Sequence, residues 1–207
     1  IKGPTQAVYE QWAGLLLPEN EVTGGFVISA NNGLATAPTS AVNSSRDSNI
    51  FVIALKRSLF KDRLNKKNWT LILNGLDSTG AKGRTVKLTD DSNTSAGVGT
   101  PAGRRYNIVS GSQGTVKDAA SVRTFGFCYP ELGVMVFSGA ELSASIPGPT
   151  TEPPAGLAAT YQTASFMGFR TGDATNTREN DALRLINCLT TGSVGVLPSF
   201  QLRSEED

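Results

Sequence analysis

A mainly β (α+β) fold is what the sequence predicts: an antiparallel β-sheet domain with a few short helices and long loops. Three observations lead there. Between residues 49 and 137, short apolar runs of strand length recur, several alternating with polar residues. Glycine (22 residues) and proline (10) are frequent enough for many turns, and Ser, Thr and Asn fill the stretches between the runs. Hydrophobic residues make up 39% of the 207-residue chain and charged ones only 18%, which gives material for a sizeable core and too little charge for a solvated, disordered chain.

The elements follow in order. AVYEQWAGLLL (7–17) spaces Val8, Trp12, Leu15 and Leu16 almost helically ahead of Pro18, predicting a short amphipathic helix or an extended arm. GGFVISANNG (24–33) predicts a strand entering an Asn-Gly turn, and residues 35–48 read as a small polar loop. NIFVIAL (49–55) has the clearest strand signature of the first half. It runs into KRSLFKDRLNKKN (56–68), where Leu59, Phe60 and Leu64 give a helical stripe, and then WTLILNG (69–75) is a strand. The expectation is a compact strand–helix–strand unit with Phe60 and Leu64 packed onto the pair. RTVKLTD (84–90) alternates as a half-exposed strand does. Residues 91–103 read as a loop and RRYNIVSGS (104–112) as a strand.

In FGFCYPELGVMVF (125–137), Phe125, Phe127 and Tyr129 share one parity and Gly126 and Cys128 the other. Val134 to Phe137 form a continuous apolar run, the pattern of burial on both faces. Pro130 fixes its own φ and Gly133 can take a positive one, so Tyr-Pro-Glu-Leu-Gly predicts the turn of an antiparallel hairpin. Residues 140–157 carry Pro147, Pro149, Pro153 and Pro154 and read as a linker or extended surface loop. TRENDALRLINCL (177–189) predicts a helix capped by Thr177, and the remainder holds small-residue turns and one short strand. The organisation is therefore an N-terminal arm and hairpin (1–48), a β-rich core (49–139), a Pro/Gly-rich loop region (140–176), and a helix and C-terminal strand (177–207).

Composition excludes several functions. There is no histidine, hence no Ser-His-Asp or Cys-His catalysis, no imidazole base and no ordinary His-containing zinc site. The net charge of +1 gives no general attraction to nucleic acid or anionic membrane, and no apolar run approaches the roughly 18 residues that span a bilayer. Neither an initiator Met nor a signal-peptide core opens the chain, which reads as a segment of a longer protein. Cys128 and Cys188 sit in apolar neighbourhoods and read as buried free thiols, with a mutual disulfide or a reactive thiol as alternatives.

Few stretches offer chemistry. Residues 75–80 have Gly-x4-Gly spacing but lack the Lys-Ser/Thr of a phosphate loop, so a glycine-rich hairpin loop explains them. Asp90-Asp91-Ser92-Asn93 clusters oxygens without the spacing of a calcium loop and reads as a solvated turn. Glycosylation sequons stand at Asn43, Asn68 and Asn93. Residues 56–67 hold six Lys/Arg against one Asp, the signature of a solvated face or of contact with an acidic neighbouring subunit; stacking aromatics for nucleic acid are missing. Candidate interface residues are Trp12, Leu15 and Leu16 as anchors, with Lys56, Arg57, Lys66 and Lys67 from the basic stretch. Catalytic, cofactor and metal residues are expected to be none. A glycan-binding alternative would use Tyr161, Phe166 and Phe169. A carboxylate-dependent hydrolase would have to draw on Glu131, Asp173, Glu179 and Asp181.

VYEQWAGLLLPEN, LKRSLFKDRLNKKNWTLIL, KLTDDSN, YNIVSGS, FGFCYPELGVMVF and FQLRSEE occur in an order that resembles large virion structural proteins of marine T4-like tailed phages. About half of the chain takes part. Lys66-Lys67 stand where the resemblance implies a Pro-Gly-like turn, and residues 140–175 match nothing in it. The resemblance implies a virion component from the tail, baseplate or fibre-attachment region. Its partners would be other virion proteins and copies of itself, with no cofactor, membrane or nucleic acid; a receptor- or glycan-binding module of the particle is the alternative. It carries no catalytic motif.

Overall fold

The computed structural model describes residues 4–22, 24–28, 46–47, 50–76, 82–119, 122–139, 141 and 200–202. The architecture is mainly β. Helix α1 (Pro4–Leu16) and the single turn α2 (Glu19–Val22) precede β1 (Ile50–Ala54), β2 (Trp69–Leu76), β3 (Lys82–Asp90), β4 (Val98–Thr100) and β5 (Gly103–Ser112). Then come β6 (Thr115–Val116), β7 (Thr124–Tyr129), β8 (Val134–Ser138) and β9 (Phe200–Leu202). The strands form one curled antiparallel sheet in the order β1-β8-β7-β5-β3-β2-β9, with β4 and β6 also paired to β5.

Strand β5 is its axis. Along one edge lies β3, with Asp90 opposite Ile108, and beyond a loop β4, with Val98 opposite Arg105. Along the other lies β6, with Val116 opposite Gly111, and beyond a second loop β7, with Thr124 opposite Val109. Each flank is thus one long strand interrupted by a loop. The β5–β6 turn places Gln113 at φ 48° and Gly114 at φ 71°, the backbone twist that suits a two-residue hairpin. Strands β4 and β6 were not foreseen, because two or three residues are too few for alternation to register.

The two faces of the sheet bury different clusters. On one, Trp69, Leu71 and Leu73 of β2, Leu88, Ile108, Phe125, Cys128, Met135 and Phe137 join Leu64, with Phe51 and Ile53 of β1 packed against them. Strands β1 and β2 stand far apart in the sheet order, so this meeting is a product of the curl. On the other face Phe127, Tyr129, Val134 and Val136 are covered by Tyr9, Ala13, Leu16 and Leu17, and by Phe26 and Ile28. Pro4 opens α1 where a missing N–H costs nothing, and Pro18 blocks its continuation. Tyr9, Ala13 and Leu16, at i, i+4 and i+7, form its buried stripe.

Several expectations need correction. Phe125 and Phe127 do not share a face: the register shifts between Ile108 and Val109, leaving Phe125 as the extra residue of a β-bulge that turns it into the opposite core. Neighbouring Gly126 accommodates this, since a Cβ there would lie 2.1 Å from the Val136 carbonyl oxygen. The strand–helix–strand unit does not form. Strand β1 pairs with β8 and not β2, and the helical stretch is a single 3-10 turn, Arg57–Leu59, although Leu64 is buried as foreseen. Gly24 to Ile28 is not a strand: Gly24 and Gly25 close a turn onto α2, with Gly25 at φ 69°, and Phe26 to Ile28 follow without regular structure. The segment's bonds include two to Asp47, whose N–H donates to Phe26 O (2.8 Å) and whose carboxylate accepts from the Ile28 N–H (2.7 Å). Tyr9, Ala13, Leu16, Leu17, Phe26 and Ile28 thus belong to the sheet's core, and the helix is not a detached arm. The expected turn at 32–33, the loop region at 140–176 apart from Glu141 and the helix at 177–189 lie outside the described residues; the expected terminal strand is β9.

Candidate functional site

Buried acids are the first place to look for chemistry, and here they serve the backbone. Asp90 and Asp91 are fully buried, so the solvated-turn reading of 90–93 holds only for Ser92 and Asn93. The Asp91 carboxylate accepts from the Asn107 backbone N–H (3.0 Å) and side-chain amide (2.9 Å), bridging the β3 interruption to β5. Asp90 accepts from the N–H groups of Lys67 and Ser92 (3.0 Å each) and from the Ser92 hydroxyl. On the helix side Asp47 accepts from Ile28 N–H and the Ser138 hydroxyl, stapling 26–28 to β8. Burial pushes the carboxyls of Asp47 and Asp91 up to about 6 from 3.8, against their hydrogen bonds. Among the described residues no group of three or more His, Cys, Asp or Glu could hold a metal ion, and no helix is long and apolar enough to cross a membrane. Cys128 is a buried free thiol, and burial pushes its pKa well above the ordinary range.

The described chain does contain one open charged concavity, a cleft of about 360 Å³ lined by Arg63, Lys66, Arg104, Tyr106, Pro130 and Glu131, with Ala96. Three elements build it. Strand β5 supplies Arg104, whose guanidinium donates to Ala96 O at 2.8 Å, and Tyr106, which forms the floor. The β7–β8 hairpin supplies Pro130 and Glu131, and there the turn closes as expected, with Gly133 at φ 67°. A Cβ at Gly133 would meet the Phe60 ring at 2.3 Å, so the basic segment packs directly on the turn. That segment is pinned by Leu64, whose side chain is in the core and whose N–H donates to Pro130 O at 2.8 Å. Lys66 Nζ then donates to the Tyr106 hydroxyl at 3.0 Å and lies 4.9 Å from the ring centroid.

The cleft's charge is unbalanced. Among the described residues Arg63, Lys66 and Arg104 form no ion pair; the pairs present are Arg105–Glu21 and Arg123–Glu141. Glu131 is the lone carboxylate of the lining. Such a concavity attracts an anionic group.

The predicted interface residues separate. Lys66 lines the cleft, while Lys56 and Arg57 are exposed beside it, with Arg57 donating to Glu131 O at 3.0 Å. Lys67 turns the chain at φ 71° and its side chain is exposed. Leu15 is exposed and Trp12 half-buried, but Leu16 is fully buried in the chain's own core and is no interface anchor. Arg63 and Arg104 were missed as site residues. Arg63 belongs to the flagged basic stretch, whereas nothing local in the sequence brings Arg104 to it. Glu131 is exposed and has no second acid beside it in the cleft; Asp173, Glu179, Asp181, Tyr161, Phe166, Phe169 and Cys188 lie outside the described residues. Comparison with family models, curated proteins and solved structures gives no match.

Proposed function

We propose that this chain is a structural component of a tailed-phage virion, from the tail, baseplate or fibre-attachment region, and that it works through subunit contacts without catalysis. The ordered set of sequence stretches supports the phage assignment. The observation that carries the assembly role is a second apolar stripe on α1. Val8 (51% exposed), half-buried Trp12 and Leu15 (53% exposed) stand at i, i+4 and i+7, on a helix whose other stripe already fills the sheet's core. The occupant is a neighbouring subunit of the particle with a basic face, because α1 and α2 carry Glu10 and Glu19, besides the Arg105-bound Glu21, and no Lys or Arg.

The test is mass spectrometry of purified particles, in which the chain is expected as a virion component. Leu15→Glu, at a site exposed enough to change folding stability by less than about 0.5 kcal/mol, removes it from particles while the free chain melts as before. Absence of the chain from particles, or normal incorporation of Leu15→Glu, ends the reading.

A further inference from the structure

We propose that the basic cleft binds a carboxylate-bearing sugar, the uronic acid unit of an acidic carbohydrate. The inference stands apart from the virion reading and rests on how the cleft's charged groups are held. Alternation along β5 turns Arg104 and Tyr106 into the cleft and Arg105 to the opposite face, where Glu21 binds it. Two of the cations are anchored in place. Arg104 donates to Ala96 O at 2.8 Å, and Lys66 donates to the Tyr106 hydroxyl at 3.0 Å. A guanidinium carries five donors and an ammonium three, so both keep donors for a ligand. Arg63 adds a third cation, and among the described residues none of the three meets a carboxylate at ion-pair distance.

The fourth charge selects the kind of anion. Glu131 stands in the lining with its side chain laid over Gly103, where a Cβ would collide with the carboxylate. A phosphate dianion would have to sit beside that negative charge. A uronate instead gives its carboxylate to the cations and turns hydroxyls toward Glu131, which accepts them in charge-assisted hydrogen bonds. The volume of about 360 Å³ suits one compact ligand. An extended acidic peptide fits less well, because β5 has a partner on each edge at the cleft floor. Arg104 is opposite Gly99 of β4 and Tyr106 opposite Cys128 of β7, so a peptide finds no edge of β5 to join.

Amide chemical shifts of the isotope-labelled full chain, titrated with glucuronate at constant ionic strength, test the assignment. Saturable shifts are expected at Ala96, Arg104, Tyr106 and Glu131, with a Kd on the order of 1–10 mM. Glucose and acetate, each presenting half of the recognised groups, should bind at least about tenfold more weakly. Arg63→Gln should weaken glucuronate at least about fivefold without altering the thermal melt, as suits an exposed side chain. Glu131→Gln should weaken glucuronate about threefold or more while tightening the binding of inorganic phosphate, since it removes an acceptor for hydroxyls and a repulsion for anions. An absence of saturable shifts at the cleft with glucuronate overturns the proposal. Acetate or phosphate binding as tightly as glucuronate would make this a site for any small anion, and equal binding of N-acetyl-aspartate amide would assign it to a peptide carboxylate; either result overturns it. So does a Glu131→Gln variant that binds glucuronate and phosphate more tightly alike.

Discussion

The two faces of the sheet are closed in different ways. One is sealed by the sheet itself: residues from β1, β2, β3, β5, β7 and β8, spread over some ninety positions, meet because the strands curl. The other is sealed by α1 and the segment around Phe26, a cover contiguous in sequence and laid over β7 and β8. The first core requires every long-range pairing to be in register before it exists. The second can be lifted while those pairings stay. Opening should therefore begin on the helix side.

Truncations on the two faces break or sharpen that contrast. Trp69 is fully buried on the curled face, and Trp69→Ala should cost about 3–5 kcal/mol. Leu16 is as deeply buried on the helix face, and Leu16→Ala should cost about 2–5 kcal/mol. Magnitude separates them less than spread does. With hydrogen exchange as the readout, Leu16→Ala should speed exchange in α1 and at Phe26 and Ile28 while β2, β3 and β5 keep their protection. Trp69→Ala should lower protection throughout. Uniform loss in Leu16→Ala would show that the cover is not separable.

Each side also carries a buried acid whose pKa is raised, and acid titration reads both. Asp47 serves the helix side and Asp91 the interrupted β3 edge, each at about 6 in the folded chain against 3.8 ordinarily. The folded state then binds more protons than the unfolded one between those values, so stability falls as pH rises from about 4 to 6 and levels off above. The difference corresponds to roughly 3 kcal/mol at most for each group. Thermal melts across this range should show it. Asp47→Asn should remove its share, because the amide can accept from Ile28 N–H and donate to Ser138, whose hydroxyl reverses its role. Asp91→Asn should remove the other share if Asn107 turns its amide oxygen toward the new donor. A profile unchanged in both variants would contradict the assignment of the slope to these two carboxyls.

The two faces also differ in how far the sequence revealed them. Strands β2, β3, β5, β7 and β8 were legible from their apolar runs, as was the β7–β8 turn from Pro130 and Gly133, because those signals are local. The helix was legible from the spacing of Val8, Trp12, Leu15 and Leu16, yet the spacing did not say which stripe faced inward, and Leu16 was assigned to the wrong side. Bulges were illegible: one extra residue at Phe125 reverses a parity that alternation alone cannot correct. The basic stretch was visible as composition. Its cleft was not, since Arg104 and Tyr106 come to it only through the pairing of β5 with β4 and β7.

The smallest of these effects concerns the polar clamp that ties the helical cover to the sheet's axis. Arg105 on β5 is 2% exposed, donates through Nη1 to Glu21 Oε2 of α2 at 2.7 Å, and lies 4.2 Å from the centre of the Phe127 ring. The same cation helps to hold down the Tyr129 hydroxyl pKa that burial pushes up. Glu21→Gln keeps an accepting oxygen but removes the charge, so Arg105 stays buried against Phe127 with its compensation reduced. The expected loss is about 1–2 kcal/mol, less than for a fully enclosed pair because Glu21 remains 21% exposed to water. The urea midpoint should drop with an unchanged m-value. Replacing both partners, as Arg105→Met with Glu21→Gln, should recover much of that loss, since Met keeps the aliphatic contact with Phe127 and leaves no cation to solvate. If the double variant is no more stable than Glu21→Gln alone, the stacking of the guanidinium on Phe127, and not its charge pairing, is what holds the cover in place.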